Sequence, residues 1–158
     1  MNTNKYEDNK TKKEVNKMRK SVMMLGMLLL CCNLVYAKVD TTKAVIHHTA
    51  SHDASVAEID RWHKERGWDC IGYHFVIRKD GTIEEGRTLE KNGAHAKGRN
   101  HYVGIALTGY DTFTVDQINS LKTLLKRLGI THIEGHHENC PGPGIDLEQI
   151  QKEVQNGN

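Results

Sequence analysis

The sequence has few cysteines, and this limits what disulfides can contribute. Only four of the 158 residues are cysteines, and two of them, Cys70 and Cys140, lie beyond residue 37. In an exported protein, one disulfide between these two is the simplest interpretation, and a metal thiolate is the alternative. The roughly 120 residues of the remaining chain can bury a core without such a bond, so folding does not require it.

The sequence also lacks an excess of charge in its main part. Seven of the 22 lysine and arginine residues and three of the 20 acidic residues fall within residues 1 to 37, so the remainder has a formal charge of −2. A mildly acidic domain has no electrostatic basis for binding nucleic acid. We therefore expect no nucleic-acid partner.

No apolar run has the length of an ordinary membrane span, which needs about 20 residues. Residues 1 to 37 instead have the pattern of a secretory signal: Arg19-Lys20, an apolar run of about a dozen residues, and the acceptable cleavage site Val35-Tyr36-Ala37. An uncleaved anchor and a lipoprotein signal at Cys31 are the alternatives. The pattern predicts an exported protein, in the periplasm, in the cell envelope or outside the cell.

Residues 38 to 158 contain no linker, repeat or low-complexity segment and are predicted to form one domain. Apolar, β-branched runs predict strands at 43–48, 103–109 and 130–137, and the Asp80-Gly81 turn predicts a hairpin. Capping boxes predict helices that begin after Ser55 and Thr114 and stop at Gly67 and Gly129, and Asp146 can cap a third helix. The order β-α-β-β-β-α-β-α predicts an α/β fold, a mixed sheet flanked by helices.

The helical spacing of apolar residues predicts which helix faces are buried. Trp62 falls on the core face of the first helix, and Lys64, Glu65 and Arg66 fall on a solvated face. The predicted core face of the second helix consists of Val115, Ile118, Leu121, Leu125 and Leu128.

Side chains that bind metals are concentrated in VIHHTA, residues 45 to 50, and GHHENCPGPG, residues 135 to 144. Zinc prefers imidazole and thiolate, and catalytic zinc keeps three protein ligands. His47 and His136 lie at or near the ends of predicted strands, and the Pro-Gly-Pro-Gly run after Cys140 is predicted to bend the chain back. The HExxH zinc signature is absent. Spacing alone leaves open a metal site, a disulfide and an ordinary loop.

Four motifs in order carry a family resemblance: VIHHTA, IDRWHKERGWDCIGYHFVIRKDGTIEEGR, GAHAKGRNHYVGIALTG and GHHENCPG. Together they resemble the zinc-dependent N-acetylmuramoyl-L-alanine amidases, which include phage lysozyme-type amidases and peptidoglycan recognition proteins, over roughly residues 43 to 150. The resemblance implies a mixed sheet with flanking helices and a Zn²⁺ ion in a peptidoglycan-binding groove. It also implies hydrolysis of the amide bond between N-acetylmuramic acid and L-alanine.

The resemblance also implies roles for particular residues. Carried over by motif, His47, His136 and Cys140 hold the zinc ion, and Tyr73 polarises or stabilises the scissile carbonyl group. The phage enzymes have a lysine two residues before the cysteine, where this chain has Glu138. Because an acid cannot offer the same positive charge, we expect Glu138 to carry a proton to the leaving amine instead.

In relatives, a loop similar to residues 93–100 borders the substrate, which predicts that His95 and Asn100 contact the sugar or the stem peptide. His48 and His137 are predicted to lie outside the ligand set, because neighbouring residues of a strand point to opposite faces. The pattern favours a packing role for His74.

Two other functions are alternatives to an amidase. A muropeptide-binding module of the same fold would bind peptidoglycan without cutting it, and loss of the cysteine ligand is its usual sign; here Cys140 is present, and Cys70 is predicted to be a buried free thiol. A glycosidase is weaker, because Glu84 and Glu85 are adjacent in a strand and face opposite ways. We therefore predict a monomeric, exported zinc amidase.

Overall fold

The computed structural model describes residues 39 to 157, which form five strands and three helices. The strands are β1 (Asp40–His48), β2 (Phe75–Ile77), β3 (Ile83–Glu85), β4 (Tyr102–Leu107) and β5 (His132–Gly135). The helices are α1 (Val56–Glu65), α2 (Val115–Leu128) and α3 (Leu147–Asn156). The predicted order of elements is confirmed. The predicted leader lies outside the described residues.

None of the helices within residues 39–157 has the length and hydrophobicity that a membrane crossing requires.

The strands form one mixed sheet in the order β3-β2-β4-β1-β5. Strand β1 runs parallel to both β4 and β5, β2 runs parallel to β4, and β2 and β3 form the antiparallel hairpin. The register places His47 beside Ala106 of β4, and Ile46 beside Gly135 of β5. The carboxyl ends of β1 and β5 therefore meet at one edge, where the chain carries its two His-His pairs.

The first two helices begin at their predicted caps and end at or near their predicted glycines. Ser55 and Thr114 each cap a helix, and both capping boxes are complete. Helix α2 ends at Gly129, which adopts a left-handed conformation with a φ of 70°. Helix α1 ends one residue earlier than predicted, and Gly67 follows its cap with a φ of 84°. These glycines accept a conformation that side chains with a Cβ resist.

The sheet buries both of its faces. One face packs against α2 and α3 in the larger core, which includes Ile46, Ile105 and Leu121. The other face packs against α1 in a smaller cluster around Ile59 and Val76, and Trp62 packs onto it as predicted. Each such aliphatic side chain contributes about 1.5–3 kcal/mol when fully buried.

The structure corrects the predicted burial of Val115 and the predicted end of the last strand. Val115 is 75% exposed rather than buried, because it is the first residue of α2 and the buried stripe runs through Gln117, Leu121, Leu124 and Leu125. The last strand ends at Gly135, before residues 136 and 137, because the chain turns there instead of extending.

The segment after β1 is held by a hydrogen-bonded carboxylate, Asp53. It accepts hydrogen bonds from Nε and Nη2 of Arg78, at 3.0 and 3.1 Å, and from Oγ1 of Thr108, at 2.7 Å. The amide of Lys79 donates a further bond, at 2.9 Å. Asp53 thus joins the loop beyond His47 to the ends of β2 and β4.

Replacing Asp53 with asparagine should lower the free energy of unfolding by about 1–2 kcal/mol at neutral pH, allowing for the partial exposure of the carboxylate. Hydrogen bonds from Arg78 lower the pKa of Asp53 from 3.8 to about 2. Its contribution is therefore complete above about pH 4 and is lost as the pH falls towards 2. Urea unfolding at a series of pH values should show the difference between wild type and variant shrinking over that interval.

The matched control is Asp111→Asn, which changes an exposed carboxylate and should leave stability unchanged. Equal unfolding free energies for wild type and Asp53→Asn at neutral pH would contradict the assignment.

Candidate functional site

Three side chains converge at the edge where β1 and β5 end. His47 is the penultimate residue of β1, His136 directly follows β5, and Cys140 lies four residues further on. One donor atom from each, an imidazole nitrogen or the sulfur, lies within 4.8 Å of the others. His47 and Cys140 are 1% and 4% exposed, and His136 is half-buried. The residues that the resemblance implied as ligands are thus brought together.

A tight turn brings Cys140 back to the strand ends. The amide of His137 donates to the carbonyl of Cys140, at 3.1 Å, and the amide of Cys140 donates to the carbonyl of His137, at 2.9 Å. The bend is therefore closed before Pro141 and is not made by the proline–glycine run. A Cβ on Gly135 would lie 2.9 Å from the carbonyl oxygen of Cys140, so this close approach requires glycine.

Arg99 fixes the end of β5 from the loop before β4. Its guanidinium donates hydrogen bonds to the carbonyl oxygens of Gly135, at 3.1 Å, and of His136. It also pairs with the carboxylate of Glu134, with a nitrogen–oxygen distance of 3.0 Å. The main chain on which His136 sits is thereby held in place. Sequence reasoning missed Arg99, because nothing near it in the chain indicates this contact.

The protonation of the three side chains follows from their burial. Burial, together with the neighbouring His95 and His136, lowers the pKa of His47 to about 2. Burial also lowers the pKa of His136. Burial raises the pKa of the Cys140 thiol, and a hydrogen bond from the backbone of His48 offsets part of this increase. At neutral pH both imidazoles are neutral, so each has a nitrogen lone pair available to a metal ion. A nearby cation would favour ionisation of the sulfur.

Tyr73 borders this cluster. Its ring centroid lies 5.1 Å from that of His47 and 5.6 Å from that of His63. Burial, together with the charge of Cys140, raises the pKa of Tyr73 to about 12. The phenol therefore keeps its proton at neutral pH and can donate a hydrogen bond.

A buried histidine of α1 positions the main chain next to Tyr73. Nδ1 of His63 accepts a hydrogen bond from the amide of Gly72, at 3.0 Å. His63 is 6% exposed and lies one helical turn after the buried Ile59. This i, i+4 spacing was the signal that could have identified it as an inward-facing residue.

The structure gives His95 and Asn100 internal contacts. A ring nitrogen of His95 lies 3.1 Å from Nε2 of His47, and His95 is 9% exposed. Oδ1 of Asn100 accepts hydrogen bonds from the amides of His95 and Ala96, both at 2.8 Å. Their predicted contact with substrate stays a prediction. In the structure, Asn100 holds the loop that places His95 against His47.

Four other residues singled out from the sequence lie outside the converging group. His48 is half-buried and His137 is exposed, and neither belongs to the converging group. His74 is 1% exposed and packs as predicted, with Nδ1 accepting from the amide of Gly104 at 2.8 Å. Glu138 lies on the exposed turn between His137 and Cys140.

Both described cysteines are free, so the disulfide interpretation is wrong for this structure. Cys70 is half-buried rather than buried as predicted. Glu84 binds Arg78, at 2.8 Å, and the amide of Val56, at 2.6 Å. Because Glu84 is occupied in these structural contacts, the glycosidase hypothesis gains no support.

Comparison with known proteins identifies the family to which the chain is similar. Residues 37–143 match the family described as N-acetylmuramoyl-L-alanine amidase. The chain is 40% identical over 130 residues to an endolysin of Escherichia phage T7, a match that covers 70% of this chain and 85% of the phage protein.

Solved structures with a similar fold include an amidase and a peptidoglycan recognition protein. N-acetylmuramoyl-L-alanine amidase LysC from Clostridium intestinale URNW is 36% identical with a TM-score of 0.68, and the match covers 75% of this chain and 88% of LysC. Peptidoglycan recognition protein-LE, in complex with tracheal cytotoxin, is 28% identical with a TM-score of 0.63, and the match covers 73% and 81% of the two chains.

Proposed function

Because the chain belongs to the N-acetylmuramoyl-L-alanine amidase family and is a peptidoglycan amidase, we propose that it works with a zinc ion held by His47, His136 and Cys140. The bond cut is the amide between N-acetylmuramic acid and the L-alanine of the stem peptide. The observation that carries the zinc proposal is the convergence of two imidazoles and one thiol within 4.8 Å.

The donor set fits zinc. Two histidines and one cysteine are ligand types that zinc prefers, and three protein ligands leave a fourth position for water or substrate. Neutral imidazoles are required for ligation, and the lowered pKa values of His47 and His136 supply them. A zinc ion held by these residues would supply Lewis-acid polarisation and would activate water as a nucleophile at neutral pH.

Tyr73 stabilises the substrate oxygen on which negative charge develops. Its phenol remains protonated because its pKa is raised to about 12, and the ring is held between His47 and His63. A hydrogen-bond donor at this place strengthens its bond as charge grows on the carbonyl oxygen.

Glu138 carries a proton to the leaving amine of L-alanine. Its position on the exposed turn, two residues before Cys140, supports this role because solvent and substrate can reach the carboxylate. A carboxylate so placed can accept a proton and then deliver it.

Replacing Glu138 with glutamine should slow turnover by at least about tenfold and leave zinc bound, because the amide cannot carry the proton. Turnover is measured as the release of new alanine amino groups from peptidoglycan, and zinc by metal analysis of the same preparation. Glu65→Gln, on the exposed face of α1, is the matched control and should retain the wild-type rate. An unchanged rate for Glu138→Gln would remove Glu138 from the mechanism.

The export of the protein is part of the proposal. Peptidoglycan lies outside the cytoplasmic membrane, and the basic-apolar-small order of residues 18–37 is the pattern of a secretory signal. We also propose that the domain acts as a monomer.

Chelation of the full-length protein tests the metal proposal. Amino-group release should stop when zinc is removed by a chelator and should return when zinc is added back. Release that continues without zinc would contradict the metal proposal. Binding of muropeptides without any release would favour the binding-module alternative.

A further inference from the structure

We propose that His95 is a positioning residue that fixes the tautomer and the ring orientation of His47, so that Nδ1 of His47 faces the metal. The inference rests on the proposed zinc site and adds to it a residue that does not touch the ion. It assigns to His95 a function different from the substrate contact predicted from sequence.

Two linked hydrogen bonds determine which ring nitrogen of His95 and which ring nitrogen of His47 carries the proton. Nε2 of His95 lies 3.1 Å from the carbonyl oxygen of Tyr102, and Nδ1 of His95 lies 3.1 Å from Nε2 of His47. A carbonyl oxygen can only accept, so Nε2 of His95 carries the proton. In the neutral ring Nδ1 is then an acceptor, which requires that Nε2 of His47 donates. The lone pair of His47 is therefore left on Nδ1.

The ring of His95 sits in a slot that the chain builds from glycine. A Cβ on Gly93 would lie 2.3 Å from Cδ2 of His95, and a Cβ on Gly104 would lie 2.4 Å from the same atom. Any larger residue at either position would displace the ring. Asn100 holds the backbone of the same loop by accepting from the amide of His95.

Strand pairing places this slot beside the ligand. Gly104 of β4 pairs with Val45 of β1, two residues before His47 on the same face of the sheet. The rings of His47 and His95 meet edge to face, with centroids 5.1 Å apart. The pairing of β1 with β4 thus sets the position of the acceptor nitrogen, Nδ1 of His95.

The hydrogen bonds require both rings to be neutral, and both rings are buried: His47 is 1% exposed and His95 is 9% exposed. A metal-binding histidine usually donates its second N–H to a carboxylate, a carbonyl or water. Here the neutral His95 accepts the hydrogen bond from His47. The orientation of His95 is set in turn by its own bond to the backbone carbonyl of Tyr102.

The test measures zinc affinity by competition with a chromophoric chelator. His95→Gln keeps a donor for Tyr102 but offers His47 no acceptor at the place of Nδ1, and should weaken zinc binding by about 10- to 100-fold. His95→Asn places Oδ1 near the position of Nδ1 and should retain affinity within about threefold. Gln117→Met is the control for loss of a buried side chain that is hydrogen-bonded to backbone, because Gln117 is fully buried and donates to the carbonyl oxygens of Ile77 and Thr108 but lies outside the converging group. It should lower stability and leave zinc affinity near that of wild type.

A second measurement needs no variant. Nitrogen-15 spectra of the ring of His47 in the metal-free wild type should show the tautomer protonated at Nε2. The opposite tautomer, or wild-type zinc affinity in His95→Gln, would overturn the inference. Failure of the wild type to bind zinc would instead overturn the proposed metal site, and the tautomer of His47 would still test the role of His95.

Discussion

Replacing Cys140 with serine is expected to lower zinc affinity by at least about a hundredfold and turnover by on the order of a thousandfold. In the proposed site the sulfur is the ligand that would bring a negative charge, since His47 and His136 would bind as neutral imidazoles. A serine hydroxyl keeps its proton at neutral pH and is a poor zinc ligand. The substitution is close in volume, so the turn at residues 137–140 should keep its shape.

Cys70→Ser is the matched control for this prediction. Cys70 is the other free cysteine of the described residues, is half-buried and lies outside the converging group. Its replacement should leave zinc content and amino-group release unchanged. Full zinc binding by Cys140→Ser, measured by chelator competition on a folded preparation, would contradict the assignment of Cys140 as a ligand.

Replacing Tyr73 with phenylalanine should lower kcat by about 10²- to 10³-fold and leave zinc affinity and KM close to wild type. The substitution removes only the hydroxyl group, and the ring keeps its contacts with His47 and His63. Because the lost hydrogen bond strengthens in the transition state, the effect should fall on kcat rather than on KM. Steady-state kinetics on a soluble muropeptide separate the two constants.

Tyr102→Phe provides the control for loss of a tyrosine hydroxyl. Its ring lies under the ammonium of Lys43, 5.1 Å from the centroid, and the backbone carbonyl that binds His95 is unchanged by the substitution. Turnover should match wild type. A kcat for Tyr73→Phe within about threefold of wild type would exclude Tyr73 as the oxyanion donor.

The parts of the fold that depend on neighbouring residues could be predicted from the sequence. Capping boxes at Ser55 and Thr114, the Asp80-Gly81 turn and the apolar strands are local signals, and each element was found in its predicted place. The boundaries were less predictable. The end of β5 is decided by the turn that pairs His137 with Cys140, and nothing within the strand itself records it.

The site could be predicted only in part. Strand ends indicated His47 and His136, and the family resemblance implied the full set with Cys140. The supporting residues were missed or given another role, because their contacts join distant parts of the chain. His95 lies 48 residues from its partner His47, and Arg99 lies 36 and 37 residues from the carbonyls it binds. The spacing of residues within one helix or strand gives no information about contacts between residues so far apart in the chain.

Mass spectrometry of digested peptidoglycan tests the central claim most directly. Purified peptidoglycan is treated with the full-length protein, once with zinc and once with a chelator, and the soluble products are identified. The account predicts stem peptides that begin with free L-alanine, together with glycan strands that keep their intact lactyl groups, and none of these products after chelation. Disaccharide fragments that still carry their peptides, or intact muropeptides that remain bound and uncut with zinc present, would contradict it.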